Sequence, residues 1–119
     1  MGAGAYILGC EGPRLTRWER DFFRDADPWG FILFARNIED PEQVAWLTTE
    51  LREAVGRDAP IFVDQEGGRV ARMRPPHWRD WLPPLEQVKL TKRKAAEAFP
   101  EQSALVITGF LEVYFSGKI

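Results

Sequence analysis

Pro60-Ile61-Phe62-Val63-Asp64-Gln65-Glu66-Gly67-Gly68-Arg69-Val70 is the stretch on which the reading of this chain turns. An apolar, β-branched run stops abruptly at two carboxylates, an amide, two glycines and an arginine. A buried strand of an α/β protein looks like this where it emerges at its carboxyl end. In open α/β sheets and in barrels alike, that end is where ligands bind. A carboxylate there accepts hydrogen bonds from two hydroxyls at once, which suits a sugar. The competing reading is a strand end followed by a glycine turn, with the carboxylates solvated.

Two earlier runs match the first part of that stretch: Ala5-Tyr6-Ile7-Leu8 and Gly30-Phe31-Ile32-Leu33-Phe34. None of the three alternates polar with apolar, so each is expected to be covered on both faces, as in a parallel sheet. Helix signals fill the gaps. Thr16 and Glu19 have the spacing of a capping box, and Trp18, Phe22 and Phe23 follow at helical spacing. Asp40 is a ready N-cap, Pro41 suits the first helical position, and Gln43 completes a second box. Val44, Leu47, Leu51 and Val55 then form an apolar stripe, which Gly56 ends in a left-handed turn. Strand, helix, strand, helix, strand at this spacing reads as two right-handed crossover units.

Beyond Val70 the character changes. The stretch from Arg72 to Pro84 is rich in arginine and proline and carries His77, Trp78 and Trp81. Pro75-Pro76 and Pro83-Pro84 forbid regular helix through most of it, so it reads as a long loop. A lysine-rich helical stretch is expected from Leu85 to Phe99. A β-prone apolar run follows from Ala104 to Phe115, interrupted by Gly109.

At 119 residues the chain fits one domain with a core of useful size. A net charge of -2 supplies no general pull towards nucleic acid or anionic lipid. Four arginines beside Trp78 and Trp81 outline a basic, aromatic surface, but no RNA-binding signature accompanies them. No apolar run approaches the roughly 20 residues that span a bilayer. There is no basic segment leading into an apolar stretch at the start, so the expectation is a cytoplasmic protein. Cys10 is the only cysteine and His77 the only histidine, which excludes an internal disulfide and a zinc-type cluster. Arg36 and Asn37, at the end of the second strand, are expected to hold neighbouring loops rather than substrate.

Gly30-Phe31-Ile32-Leu33-Phe34-Ala35-Arg36-Asn37 and Val63-Asp64-Gln65-Glu66-Gly67-Gly68-Arg69-Val70 together resemble a pair of motifs in bacterial β-N-acetylhexosaminidases of glycoside hydrolase family three. Pro41-Glu42-Gln43 and Leu82-Pro83-Pro84 fall where that family has similar residues, and the likeness runs from about Tyr6 to Val88. Ala71 departs from it, since many members carry a polar residue there. The resemblance implies an α/β fold: a partial (β/α)₈ TIM-type barrel comprising the first three β/α units. On this reading residues 1–88 are the barrel segment and residues 89–119 a divergent tail. It also implies hydrolysis of terminal β-linked N-acetylglucosamine during cell-wall recycling, with no metal or organic cofactor. Asp64 matches the aspartate that holds hydroxyls of the non-reducing sugar, and Arg72 an arginine that also contacts it. The implied partner is an N-acetylglucosamine-containing saccharide, with no nucleic acid and no membrane.

Catalysis of the family's retaining kind needs a nucleophile and a proton donor on opposite sides of one bond. The family's Lys-His and Phe-Pro-Gly-His-Gly motif is absent from this chain, and no aspartate follows Asp80. A complete barrel takes about 250 residues. The expectation is therefore a truncated or frame-disrupted product, inactive alone, with unpaired strand edges inviting self-association. The alternative is a small doubly wound binding module, in which Asp64 would occupy the phosphoacceptor position of a receiver domain. That module needs an acidic pair after the first strand to hold magnesium, and Cys10-Glu11-Gly12 offers one carboxylate.

Overall fold

The computed structural model describes residues 2–94 and 110–112. Its elements run β1 (Gly4–Leu8), α1 (Arg17–Ala26), β2 (Pro28–Leu33), a 3₁₀ turn (Ala35–Asn37), α2 (Pro41–Val55), β3 (Ile61–Gly67), β4 (Val70–Ala71), α3 (Pro84–Lys94) and β5 (Phe110–Glu112). Two compact units are distinguished, and the division falls within β3, between Val63 and Asp64.

In the first unit β1 pairs in parallel with β2, and β2 in parallel with β3 through Phe31–Ile61, Ile32–Phe62 and Leu33–Val63. Consecutive strands are thus neighbours, each joined to the next by a helical crossover. A doubly wound sheet would instead reverse its order near the first strand. Among the described residues β1 has β2 as its one partner.

Both crossover helices begin as their sequences dictate. The Thr16 hydroxyl accepts from the Glu19 amide at 3.1 Å while the Glu19 carboxylate accepts from the Thr16 amide at 3.1 Å, a complete capping box. At α2 the Asp40 carboxylate accepts from the Gln43 amide at 2.8 Å, and Pro41 opens the helix. The Gln43 side chain does not close the expected box on Asp40; its oxygen takes the Glu39 amide at 2.8 Å. Its nitrogen is thereby free to reach the carbonyls of Pro13 and Asn37 at 2.6 and 2.8 Å. Gly56, with φ of 68°, ends α2 in the left-handed region.

The core of this unit is built from Phe23, Phe31, Leu33, Val44, Leu47, Leu51, Ile61 and Val63, all buried. Phe23 meets Phe31 edge to face, their ring centroids 5.0 Å apart. Burying side chains of this size contributes about 1.5–3 kcal/mol each. Trp18 and Phe22 behave differently from Phe23: both are exposed and stack on one another at 5.2 Å. The expectation that every strand is covered on both faces fails for β1. Tyr6 and Ile7, consecutive residues whose side chains leave the strand on opposite faces, remain 44% and 45% exposed.

In the second unit β3 continues past its expected end at Val63 through to Gly67 and turns back into β4, an antiparallel hairpin. The residues from Arg72 to Pro83 are irregular, as their prolines require, and α3 follows. Of the expected tail strand from Ala104 to Phe115, only Phe110–Glu112 falls within the described residues, as β5, which pairs with β3. The end of the expected helix, residues 95–99, lies outside them.

Candidate functional site

The site grows out of the two-residue period of β3. Ile61, Val63, Gln65 and Gly67 are buried, while Phe62, Asp64 and Glu66 are half-buried on the other side. Asp64 follows the last parallel pair, at Val63, and precedes the first antiparallel pair, Gln65–Ala71. Its carboxylate therefore stands where the strand leaves the parallel sheet and enters the hairpin. The turn needs its glycines: Gly67 has φ of 100° and Gly68 of 60°. The Gly68 amide also donates to the Trp81 carbonyl at 3.0 Å, so the turn is seated against the proline-rich loop of the same unit.

This return brings Arg72 back beside Asp64. Arg72 Nη2 lies 3.8 Å from Asp64 Oδ2, and both side chains are about a quarter exposed. That spacing is an ion pair too long for a direct hydrogen bond. The Arg72 Nε atom is buried and has no hydrogen-bond partner. A buried donor without an acceptor costs about 1–3 kcal/mol, so a ligand oxygen that satisfied it would recover that cost. A carboxylate and a guanidinium held a little apart at a partly open strand end suit a polyol, whose hydroxyl can donate to the one and accept from the other.

Gln65 bonds the backbone of Arg72 and Met73, a contact that no sequence motif singles out. The side chain is buried, and its Oε1 accepts from the amides of both Arg72 and Met73, at 3.0 and 3.1 Å. Its Nε2 donates to the Met73 carbonyl at 2.8 Å. The signal was present in the pattern: Gln65 shares the buried face with Ile61 and Val63, and a buried amide must find partners. Arg74 braces the hairpin from outside, donating to the carbonyls of Ala71 and Arg69 at 2.9 and 3.1 Å. His77, the sole histidine, is exposed and makes an edge contact with Trp78 at 5.8 Å.

In the first unit, Arg36 and Asn37 hold loops, as expected. Asn37 is fully buried. Its Nδ2 donates to the carbonyls of Cys10 and Gly12 at 3.1 and 2.8 Å, and its Oδ1 accepts from the Phe34 amide at 2.9 Å. Arg36 Nε donates to the Cys10 carbonyl at 3.1 Å. Burial, with a lesser push from Glu19, raises the Cys10 thiol to about 11. The group is an inert apolar filler rather than a nucleophile. Among the described residues no cluster of histidine, cysteine or carboxylate side chains is placed to hold a metal ion. No described helix is long and apolar enough to cross a membrane.

No family model matches the chain. A β-hexosaminidase of Stenotrophomonas maltophilia is 38% identical over 114 residues, covering 93% of this chain and 33% of that protein. A β-hexosaminidase of Pseudomonas aeruginosa is 45% identical over 71 residues, covering 60% of this chain and 21% of its own length. The crystal structure of NagZ from Neisseria gonorrhoeae in complex with N-trifluoroacetyl-D-glucosamine superposes with a TM-score of 0.70 at 29% identity. That match covers 81% of this chain and 28% of the other. A glycoside hydrolase family 3 β-N-acetylglucosaminidase from Paenibacillus is 32% identical over 57% of this chain, with a TM-score of 0.52. The chain thus resembles the N-terminal part of β-N-acetylhexosaminidases of that family, and spans about a third or less of the length of these relatives.

Proposed function

We propose that this chain supplies the sugar-gripping N-terminal segment of a cytoplasmic β-N-acetylhexosaminidase, with its three parallel strands as the start of a (β/α)₈ barrel. On this reading residues 1–88 form the barrel segment and residues 89–119 a separate tail. Asp64 and Arg72 take hydroxyls of a terminal β-linked N-acetylglucosamine of the kind released in cell-wall recycling. The observation that carries the proposal is the Asp64–Arg72 pair, 3.8 Å apart with a buried, partnerless Nε beside it, in a chain 38% identical to a β-hexosaminidase. On this reading the chain contributes the sugar contacts, and no aspartate follows Asp80 among its residues to serve as the family's nucleophile. The edge of β1, which has one partner among the described residues, would draw copies of the chain together.

The test is titration of the ¹⁵N-labelled chain with N-acetylglucosamine, following its amide resonances. Saturable shifts centred on residues 64–73 at millimolar sugar, abolished by Asp64→Ala, are expected. The absence of any shift in the folded chain at tens of millimolar sugar would overturn the assignment.

A further inference from the structure

We infer that Gln65 is the positioning residue that sets Arg72 for the sugar, an inference that rests on the sugar-binding reading of Asp64 and Arg72. The hairpin ladder ends early. Its pairs are Gln65–Ala71 and Gly67–Val70, with an irregularity between them, and β4 stops at Ala71. Immediately beyond, the amides of Arg72 and Met73 and the carbonyl of Met73 bond to the Gln65 side chain. One primary amide thus continues the ladder with its side chain, filling both roles an amide can take, donor and twofold acceptor.

The Arg72 guanidinium shows why this matters. Its Nε is buried without a partner, and its Nη2 approaches Asp64 only to 3.8 Å. The long side chain is therefore anchored chiefly at its root, and the root is held by Gln65. Asp64 and Gln65 are consecutive on one strand, so their side chains leave β3 on opposite faces. One residue presents the acceptor, and the next holds the backbone that carries the donor. The separation of carboxylate and guanidinium is then set by adjacent positions of a rigid element, the preorganisation that a weakly held polar ligand requires.

Three variants of the full chain test this, Gln65→Leu, Gln65→Glu and Asp64→Ala, with two readouts. The first is the Nε–H resonance of Arg72 and its exchange with solvent. The second is the dissociation constant for N-acetylglucosamine. Gln65→Leu should speed Arg72 Nε–H exchange and weaken the sugar by about tenfold or more, the scale of losing one well-placed polar contact. If Gln65→Leu does not fold, Gln65→Glu decides. Its protonated carboxyl can again donate to Met73 and accept from both amides, whereas its ionised form faces the Met73 carbonyl with no donor. Both readouts should then match those of the wild type at the same acid pH and fall away from it as the pH rises. An Arg72 resonance unchanged in every Gln65 variant, with affinity within twofold, would overturn the inference. If wild-type chain and Asp64→Ala are alike in binding no sugar, the sugar reading fails. The Arg72 resonance still decides whether Gln65 positions the guanidinium.

Discussion

Glu50, on α2, and Leu15, just before α1, are joined by a hydrogen bond of 2.9 Å from the Leu15 amide to the buried Glu50 carboxylate. Arg14 reaches the other carboxylate oxygen with two of its nitrogens, Nε at 3.0 Å and Nη2. The loop that follows β1 is thereby pinned to the second crossover helix, across 35 residues of sequence.

The ionisation of Glu50 should make stability fall in acid. Burial by itself would raise its carboxyl, but the bonds from Arg14 and Leu15 outweigh burial and hold it below the ordinary glutamate value of 4.5. A depressed folded value means that the contribution is complete above pH 4.5 and lost as the pH falls below it through the folded value. Glu50→Gln should cost about 1–2 kcal/mol at pH 7, modest because Arg14 is largely exposed. The two proteins should converge as the pH falls through the depressed folded value. Urea midpoints measured from pH 7 down to 3 check this, and a gap that stays constant across that range would contradict it.

Cys10 should be close to unreactive while the chain is folded. Raising a thiol from 9.0 to about 11 leaves about 100-fold less thiolate at neutral pH, and the thiolate is the reacting species. Iodoacetamide labelling at pH 7.5 should therefore run at least about 100-fold slower in the folded chain than in urea. The same raised value stabilises the fold fully below pH 9 and ceases to do so as the pH rises through about 11. Comparable labelling rates in the two conditions would show that the loop around Cys10 opens readily.

Much of this was legible in the residues, and the remainder failed for identifiable reasons. The caps at Thr16, Asp40 and Gly56 are local chemistry, complete within four residues, and the structure reproduces their helices. The parallel strands were marked by continuous apolar runs. By contrast, β3 was expected to end at Val63, because the polar run after it resembles a strand end. The two-residue period in fact continues through Gln65 to Gly67 and carries a hairpin. The partners of Glu50, and the carbonyls that the Asn37 amide nitrogen reaches, lie 25 to 36 residues away, and no local pattern encodes such distances. Asp64 and Arg72 are legible through the resemblance, while Gln65, whose side chain bonds the Arg72 backbone, carries no motif signal of its own.

The glycine turn at the tip of that hairpin should tolerate substitution unequally. A Cβ on Gly67 would overlap the Leu82 carbonyl oxygen, part of the backbone, and φ of 100° is outside what side chains adopt easily. At Gly68, φ of 60° suits asparagine, and the nearest atom to a Cβ is the Pro83 ring at 2.8 Å. Gly67→Ala should cost about 3 kcal/mol or more, and Gly68→Asn about 1–2 kcal/mol. Denaturation midpoints in the opposite order would mean that the loop from Trp81 to Pro83 does not sit on the turn.

Asn37 provides the sharpest test of the loop clasp in the first unit. Its amide satisfies the carbonyls of Cys10 and Gly12 and the amide of Phe34, and it is fully buried. Replacing it with leucine keeps the volume and removes every bond, leaving the Gly12 carbonyl and the Phe34 amide without their side-chain partner, while the Cys10 carbonyl keeps Arg36. Each buried group left unpaired costs about 1–3 kcal/mol, so Asn37→Leu should lose about 3 kcal/mol or more. Asn37→Asp keeps the acceptor for Phe34 but sets a carboxylate against two carbonyls, so it should be no better at pH 7 and should recover partly in acid as the carboxyl protonates. An Asn37→Leu loss below about 1 kcal/mol, read from urea midpoints at an unchanged m-value, would show that water replaces the clasp. In that case the loops after β1 and β2 would be held by the Gln43 and Glu50 bonds instead.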